Sequence, residues 1–187
     1  MHDYALIGEP VRLTYADFCA LPDDGRRYEI LDGDLYMSPS PVPLHQQIAL
    51  NLALVLADHV RRNRLGRVYV APLDVLLSEN DVVEPDVVYV SRERAAIITP
   101  KNIQGPPDLL IEVLSPATAD RDLTDKRNIY ARCGVPFYWI IDPDKRTLLE
   151  LQLAGKAYAR LSETVAGGAF APRLFLELTI AINELWE

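Results

Sequence analysis

Two carboxylates stand in runs that otherwise read as core strand: Glu112 inside "DLLIEVL" and Asp86 inside "VVEPDVVYV". Side chains alternate along a strand, so Leu110, Glu112 and Leu114 share one face and Leu109, Ile111 and Val113 the other. An ionised carboxylate left alone in an apolar interior is costly, or its pKa climbs until it is neutral, so something must compensate Glu112. Acids meeting at strand ends suit Mg²⁺ or Mn²⁺. Mg²⁺ prefers oxygen ligands, keeps several waters, and takes one or two carboxylates while a substrate phosphate completes its shell. The chemistry that follows is phosphoryl transfer, in which the ion polarises the phosphorus centre and acidifies a bound water. A lysine nearby would orient that water or stabilise developing charge. Lys126 fits, because the helix that carries it starts just after the Glu112 strand. It fits equally as an exposed helical lysine paired with Asp122 one turn earlier.

Other residues carry weaker signals. Glu29, in "YEILDG", reads as a cross-strand partner of Arg26 or Arg27 or as a wall of the same cleft. His45 opens the longest helical run and either bonds locally or lines that cleft, and His59 reads as a boundary residue of the same run. Asp74, in "PLDVLL", suits an edge strand where a charge discourages aggregation. Arg61, Arg62, Arg64 and Arg67 form the dense basic patch, which reads as a solvated helix end or as a phosphate contact. Cys19 and Cys133 lack CxxC spacing, so reduced, buried thiols are expected and zinc is not indicated.

The elements that must position these groups can be read from spacing. "TYADFCALP" has Thr14 as N-cap and Asp17 three residues on, a capping box that predicts a short helix. Asp32-Gly33 divides "RRYEILDGDLYMS" into a β-hairpin. Apolar residues from Leu44 to Val60 recur at threes and fours, predicting a helix that Gly66 ends. "GRVYVAPLDVLLS" and "VVEPDVVYV" are each read as one strand, and "DLLIEVL" as the third, stopped at Ser115-Pro116. "SRERAAII" predicts a short helix, and "DLTDKRNIYARCGVP" a longer one with Gly134 at its C′ position. "FYWII", "RTLLELQL" and "GKAYARL" predict a β-meander, and the last residues one short strand and a helical turn. The expected fold is α/β (α+β): one mixed central sheet flanked by helices, core order αβββαβ, with an N-terminal hairpin and a β-rich C-terminal tail.

Composition bounds the function classes. The 187 residues suit a single domain spanning 1–187, and 49% hydrophobic with 25% charged residues is ordinary for a globular chain. No run approaches the length of a membrane span, and "MHDYALIGEPVRL" lacks a basic flank before an apolar core, so a soluble cytoplasmic protein is expected. The net charge of −8 argues against broad nonspecific attraction to nucleic acid, though not against a local site where metal ions neutralise the acids.

"RYEILDGDLYMSPSP…H", "EPDVVYV" and "PPDLLIEVLSPAT…D…K…Y…CGVPFYWIIDP" together resemble the Uma-two family, restriction-endonuclease-like bacterial proteins of the PD-(D/E)XK nuclease-like superfamily. The resemblance runs from about Thr14 to Trp186. It implies a restriction-endonuclease-like fold in which Pro85-Asp86 is the "PD" element and Glu112 the "(D/E)" element. The motif's lysine position, two residues after Glu112, is Leu114 here. By the same resemblance Lys126 supplies the ammonium from the following helix, as in variants of the superfamily, and Glu29 and His45 join the catalytic set. The implied activity is a Mg²⁺- or Mn²⁺-dependent endonuclease acting on DNA, with the metal on Asp86 and Glu112. The alternative is a catalytically inactive nuclease-like fold used as a binding or regulatory module, which Leu114 and the acidic net charge favour. A homodimer is compatible with either.

Overall fold

A computed structural model describes residues 11–187. The leading residues on which the expected absence of a signal segment partly rests lie outside them.

The hairpin forms as read. β1 (Arg27–Leu31) and β2 (Asp34–Ser38) pair antiparallel around Asp32 at φ 53° and Gly33 at φ 84°. Two successive positive φ values match the twist of the flanking strands, and the Asp-Gly pair tolerates them. Thr14 caps α1 (Tyr15–Cys19), and Asp17 returns the bond to the Thr14 N–H at 2.8 Å.

α2 (Pro43–Arg62) buries Ile48, Leu52, Leu56 and Val60, one side chain per turn, and starts with proline where an N–H would lack a partner. Asn63 is its C-cap, and the left-handed residue after it is Arg64 at φ 56°. Gly66 therefore does not end the helix. It opens β3 (Gly66–Val70), where an added Cβ would lie 2.1 Å from the Val90 carbonyl oxygen.

Both runs read as single strands are split between two sheets. The first gives β3 and β4 (Val75–Ser78), and the second β5 (Asp81–Val83) and β6 (Val87–Ser91). Prolines 72 and 85 stand at the two breaks, where the chain leaves one ladder for the other. The remaining strands are β7 (Ile103–Gln104), β8 (Leu109–Val113), β9 (Phe137–Asp142), β10 (Thr147–Ala154), β11 (Ala157–Val165), β12 (Ala169–Phe170) and β13 (Ile180–Ala181). One six-stranded sheet runs β11-β10-β9-β8-β6-β3 and one five-stranded sheet β2-β1-β5-β4-β7; β12 pairs with β13. The expectation of one mixed sheet is thus corrected to mixed sheets in two layers, with the hairpin a full member of the second. Along the six-stranded sheet the order α2, β3, β6, β8, helix, β9 keeps the αβββαβ core.

β8 separates two cores by its alternation. Leu109, Ile111 and Val113 pack with α2, Trp139, Phe170 and Phe175. Leu110 and Leu114 face Ile129, Tyr130, Tyr138 and the second sheet's Leu31, Val75 and Val83. Glu112 shares that second face. The helical segment over it is α3 (Ala119–Arg121), a π-helical stretch Asp122–Lys126, and α4 (Arg127–Arg132). Gly134, at φ 80°, closes it with its N–H on the Ala131 carbonyl while the Val135 N–H reaches Tyr130. "SRERAAII" holds only the 3₁₀ turn Ala95–Ile97, and Ile182–Trp186 forms the terminal 3₁₀ helix.

Candidate active site

Asp86 enters the site because it directly precedes β6. The β6–β8 ladder ends at the Val87–Ile111 pair, and the Asp86 Oδ2 takes over by accepting the Val113 N–H at 2.8 Å. That bond holds Asp86 beside the next residue along β8, Glu112. His45 Nε2, at the start of α2, lies 3.2 Å from the same Oδ2. Asp86 therefore does not interrupt a strand; it stands at its mouth.

Lys126 is buried, only 5% exposed. Its ammonium lies 2.9 Å from Glu29 Oε1, 3.0 Å from Glu112 Oε1 and 3.3 Å from Asp122 Oδ1. The exposed helical lysine is thus corrected: the Asp122 pair exists, but inside the protein and together with two further acids. A π-helical turn is wider than an α turn and is frequent at functional sites, and this one turns Asp122 and Lys126 inward together. Tyr130, four residues on, donates its hydroxyl to Glu112 Oε1 at 2.7 Å. Asp122, Lys126 and Tyr130 thus recur at every fourth position of the segment.

Glu29 is not the partner of Arg26 or Arg27. Arg26 pairs with Asp24, and Arg27 Nε donates to Glu84 Oε2 at 2.6 Å. Glu29 instead accepts the Glu84 N–H at 2.9 Å and the Ser38 hydroxyl at 3.3 Å, so the hairpin delivers it across to Lys126. Asp74 lies in the connection before β4 rather than in a strand. Burial first, then the neighbouring Glu84 carboxylate, raise its pKa to about 6. His59 packs edge-on against Phe175, away from the acids.

The electrostatics are unbalanced by construction, because Glu29, Glu112 and Asp122 share one ammonium. Burial raises the Glu112 pKa well above the usual carboxylate range; Lys126 opposes this, while Asp122, Asp86 and Glu29 add to it. Asp122 is raised for the same leading reason. For Lys126 burial acts to lower the pKa, but Glu112, Glu29 and Asp122 outweigh it and hold the group protonated. The upward shifts of both partners are compatible: one positive charge cannot neutralise three buried acids. Burial also keeps the Tyr130 hydroxyl protonated, hence a donor. For His45, burial is outweighed by the hydrogen bond and charge of Asp86, so its pKa is raised.

Glu29, His45, Asp86, Glu112, Asp122 and Lys126 line a cleft of about 530 Å³, walled by the Pro39–Val42 and Ser115–Thr118 loops, with Tyr130 buried behind it. The donor set there fits a hard divalent ion. The contacts to Glu112 fall on Oε1 and those to Asp86 on Oδ2, which leaves one oxygen of each carboxylate without a protein donor among the described residues. The excess negative charge favours a cation at that point. Among the described residues no three His, Cys, Asp or Glu side chains form a metal cage by themselves. That matches an ion that takes one or two carboxylates and keeps its waters, rather than one held by a closed shell.

The structure brings Asp86, Glu112, Lys126, Glu29 and His45 to one cleft. Sequence reasoning missed Tyr130 and Glu84 and took Asp122 only as a surface ion pair. The four-residue spacing of Asp122, Lys126 and Tyr130 was the available signal for two of them.

Fold and site together define a restriction-endonuclease-like α+β protein with an acid-lined cleft. The description "Putative restriction endonuclease", that of the Uma2 family, matches residues 15–183, and the chain belongs to that family. Among solved structures it is similar to "a putative nuclease belonging to DUF820" from Anabaena variabilis ATCC 29413. The TM-score is 0.76 at 22% identity, over 93% of this chain and 97% of that one. No curated protein matches. Membership of the family supports a nuclease role. No helix among the described residues is long and apolar enough to cross a membrane.

Proposed function

We propose that the protein is an endonuclease that hydrolyses phosphodiester bonds in DNA with Mg²⁺ or Mn²⁺ held by Asp86 and Glu112. The observation that carries this reading is the convergence of Asp86, Glu112 and Lys126 on one cleft, with the Lys126 ammonium 3.0 Å from Glu112 despite the displaced lysine position. A bound ion of this kind supplies a polarised phosphoryl oxygen and an acidified water. The chain's own residues prepare that chemistry. Lys126 and Tyr130 both donate to Glu112 Oε1, which fixes the carboxylate and leaves Oε2 as the ligand atom. The Val113 N–H and His45 do the same at Asp86 Oδ2. Lys126 also places a permanent positive charge beside the cleft, where charge develops on the phosphate in the transition state. Glu29 and Asp122 keep that ammonium protonated and in position. In this reading residues 1–187 act as one catalytic unit on cytoplasmic DNA, and a second copy is called on where both strands are cut.

The test is cleavage of supercoiled and linear DNA by purified protein with Mg²⁺ or Mn²⁺, beside Asp86→Asn, Glu112→Gln and Lys126→Ala. The expected result is metal-dependent cutting that falls at least about a hundredfold in the first two variants. Cutting that persists in EDTA, or survives Asp86→Asn, would overturn the assignment. The competing reading is a nuclease-like fold that binds without cutting. Leu114 at the motif's lysine position favours it, and folded protein that binds DNA but leaves every substrate intact would establish it.

A further inference from the structure

At the end of α2 remote from His45, a groove of about 640 Å³ is lined by Arg61, Arg64, Arg67 and Arg92 together with Gly66 and Tyr69. All four arginines are exposed, and among the described residues none has an acidic partner within 4.0 Å. In a chain of net charge −8 such a convergence stands out. The neighbouring Arg62 differs: it lies outside the groove and pairs with Asp58 at 2.6 Å.

Helix-end electrostatics accounts for Arg61 and Arg62, since cations suit a helix C-terminus. It does not account for Arg67, on β3, or Arg92, just beyond β6. The backbone is shaped to bring these two to the others. Gly66 lets β3 approach Val90 and Ser91 more closely than a side chain would permit, and the Arg92 N–H bonds the Leu65 carbonyl at 2.9 Å. Arg64 holds a left-handed conformation at φ 56°, a position that glycine or asparagine fills more readily. The turn closes α2, with the Leu65 N–H on the Val60 carbonyl at 2.9 Å and the Arg64 N–H on the Arg61 carbonyl at 3.2 Å, and the arginine adds an exposed charge at a position where glycine would serve the backbone better.

We infer that this groove binds the phosphate backbone of DNA as a second anchoring site, separate from the catalytic cleft. Four guanidiniums, unpaired among the described residues, on a concave surface match a line of phosphates, which they engage with paired N–H groups. β6 connects the two sites. From Asp86 to Arg92 the chain runs about 20 Å at roughly 3.3 Å per residue, the length of roughly six nucleotides of one strand. The groove thus grips DNA flanking the point of cleavage. This inference rests on the reading of DNA as the substrate.

The experiment is fluorescence anisotropy with a labelled duplex of about 24 base pairs, in EDTA so that no cleavage intervenes, from about 50 to about 200 mM salt. It compares wild type, Arg64→Gln/Arg67→Gln/Arg92→Gln and Arg62→Gln, each checked by thermal melting; the single variants Arg67→Gln and Arg92→Gln stand in if the triple variant does not fold. The triple variant is expected to bind at least about tenfold more weakly, with a log–log salt slope shallower by roughly 0.9 per lost contact. Arg62→Gln is expected within about twofold of wild type, because its charge is already paired. Equal affinity and slope in the triple variant and wild type overturn the groove, as does an equal loss in Arg62→Gln. Cutting by a wild type whose binding ignores the groove leaves the nuclease standing without this site. Groove-dependent binding without cutting leaves the site standing without the nuclease. Absence of DNA binding in EDTA sinks the groove, and the nuclease falls with it only if Mg²⁺ or Mn²⁺ brings neither binding nor cutting.

Discussion

Two regions of this protein bury carboxylates beside a cation, and they do it in opposite proportions. Asp81, at the start of β5, is 3% exposed and collects donors: the Asp32 N–H at 2.9 Å, the Ser78 hydroxyl at 2.6 Å, and Arg132 Nη2 at 3.1 and 3.0 Å to its two oxygens. The one buried acid there meets an excess of donors, while Arg132 also reaches the half-exposed Asp32 at 2.8 Å. In the cleft, Glu29, Glu112 and Asp122 meet one ammonium, and Asp122 Oδ1 accepts no well-directed hydrogen bond although Lys126 lies 3.3 Å away. A carboxylate whose lone pairs are all answered locks a turn to a helix. Carboxylates in excess of their cations store a demand for positive charge, and that demand is what a divalent ion and a phosphate transition state would use.

The comparison breaks most visibly at its cation. Lys126→Met leaves three buried acids uncompensated, and a loss of about 3–5 kcal/mol in urea unfolding at neutral pH is expected. The loss should shrink as pH falls toward the ordinary carboxylate range and level off below it, because Glu112 and Asp122, whose pKa values are raised in the fold, take up protons before the unfolded chain does and then no longer repel. A cost under about 1 kcal/mol would mean that the cluster is not held together by charge. Asp81→Ala comes next. It strands Ser78 and the Asp32 N–H and removes one of the two acids on Arg132, which keeps Asp32 at 2.8 Å, for about 1–3 kcal/mol, yet cleavage per folded molecule should match wild type because Asp81 does not line the cleft. Lost turnover in stable Asp81→Ala would merge the two regions that the geometry separates.

Glu112→Gln should go the other way. Burial raises the Glu112 pKa, so its native form holds a proton more tightly than the unfolded chain does. Its favourable contribution is present below the ordinary value of about 4.5 and declines as pH rises above it. The glutamine keeps an oxygen for Lys126 and Tyr130 without the charge. Melting at pH 8 should therefore be unchanged or higher than wild type while cutting is lost, the stability and activity trade-off expected of a site residue. A melting point lowered by as much as in Asp81→Ala would place Glu112 with the structural acids.

How much of this was legible in the sequence differs between the two layers. Period-two alternation in "DLLIEVL" located the face of Glu112, and the Asp-Gly pair located the hairpin, because both are local signals. The split of each Val-rich run between two sheets was not legible. Pro72 and Pro85 mark a broken ladder in each run, but a proline does not say that the chain moves to another sheet, and both halves of "GRVYVAPLDVLLS" are equally apolar and both become strand. The burial of Lys126 depended on the same unreadable fact. "DLTDK" is polar enough for a surface turn, and only the second sheet, which carries Glu29 across from β1, encloses it. The acids of the cleft could be named from their strands. Their mutual geometry is a tertiary product.

Asp74 tests the comparison at its finest grain, because it belongs to neither region by inspection. It sits near Glu84 at the edge of the cleft, and its pKa of about 6 lies above the ordinary value of 3.8. The native state therefore retains a proton that the unfolded chain has released between about pH 4 and about 6, and stability falls as pH rises through that window and then levels off. Asp74→Asn removes the slope. The variant should match wild type near pH 4 and exceed it above pH 7 by about 1 kcal/mol, a figure discounted for the solvent that reaches a half-buried side chain. Removing the charge also leaves Arg27 as the undisputed partner of Glu84, whose guanidinium contact at 2.6 Å borders the cleft. If urea unfolding across that pH range shows the same slope in variant and wild type, Asp74 is answered like Asp81, and the excess of negative charge stops at Glu84.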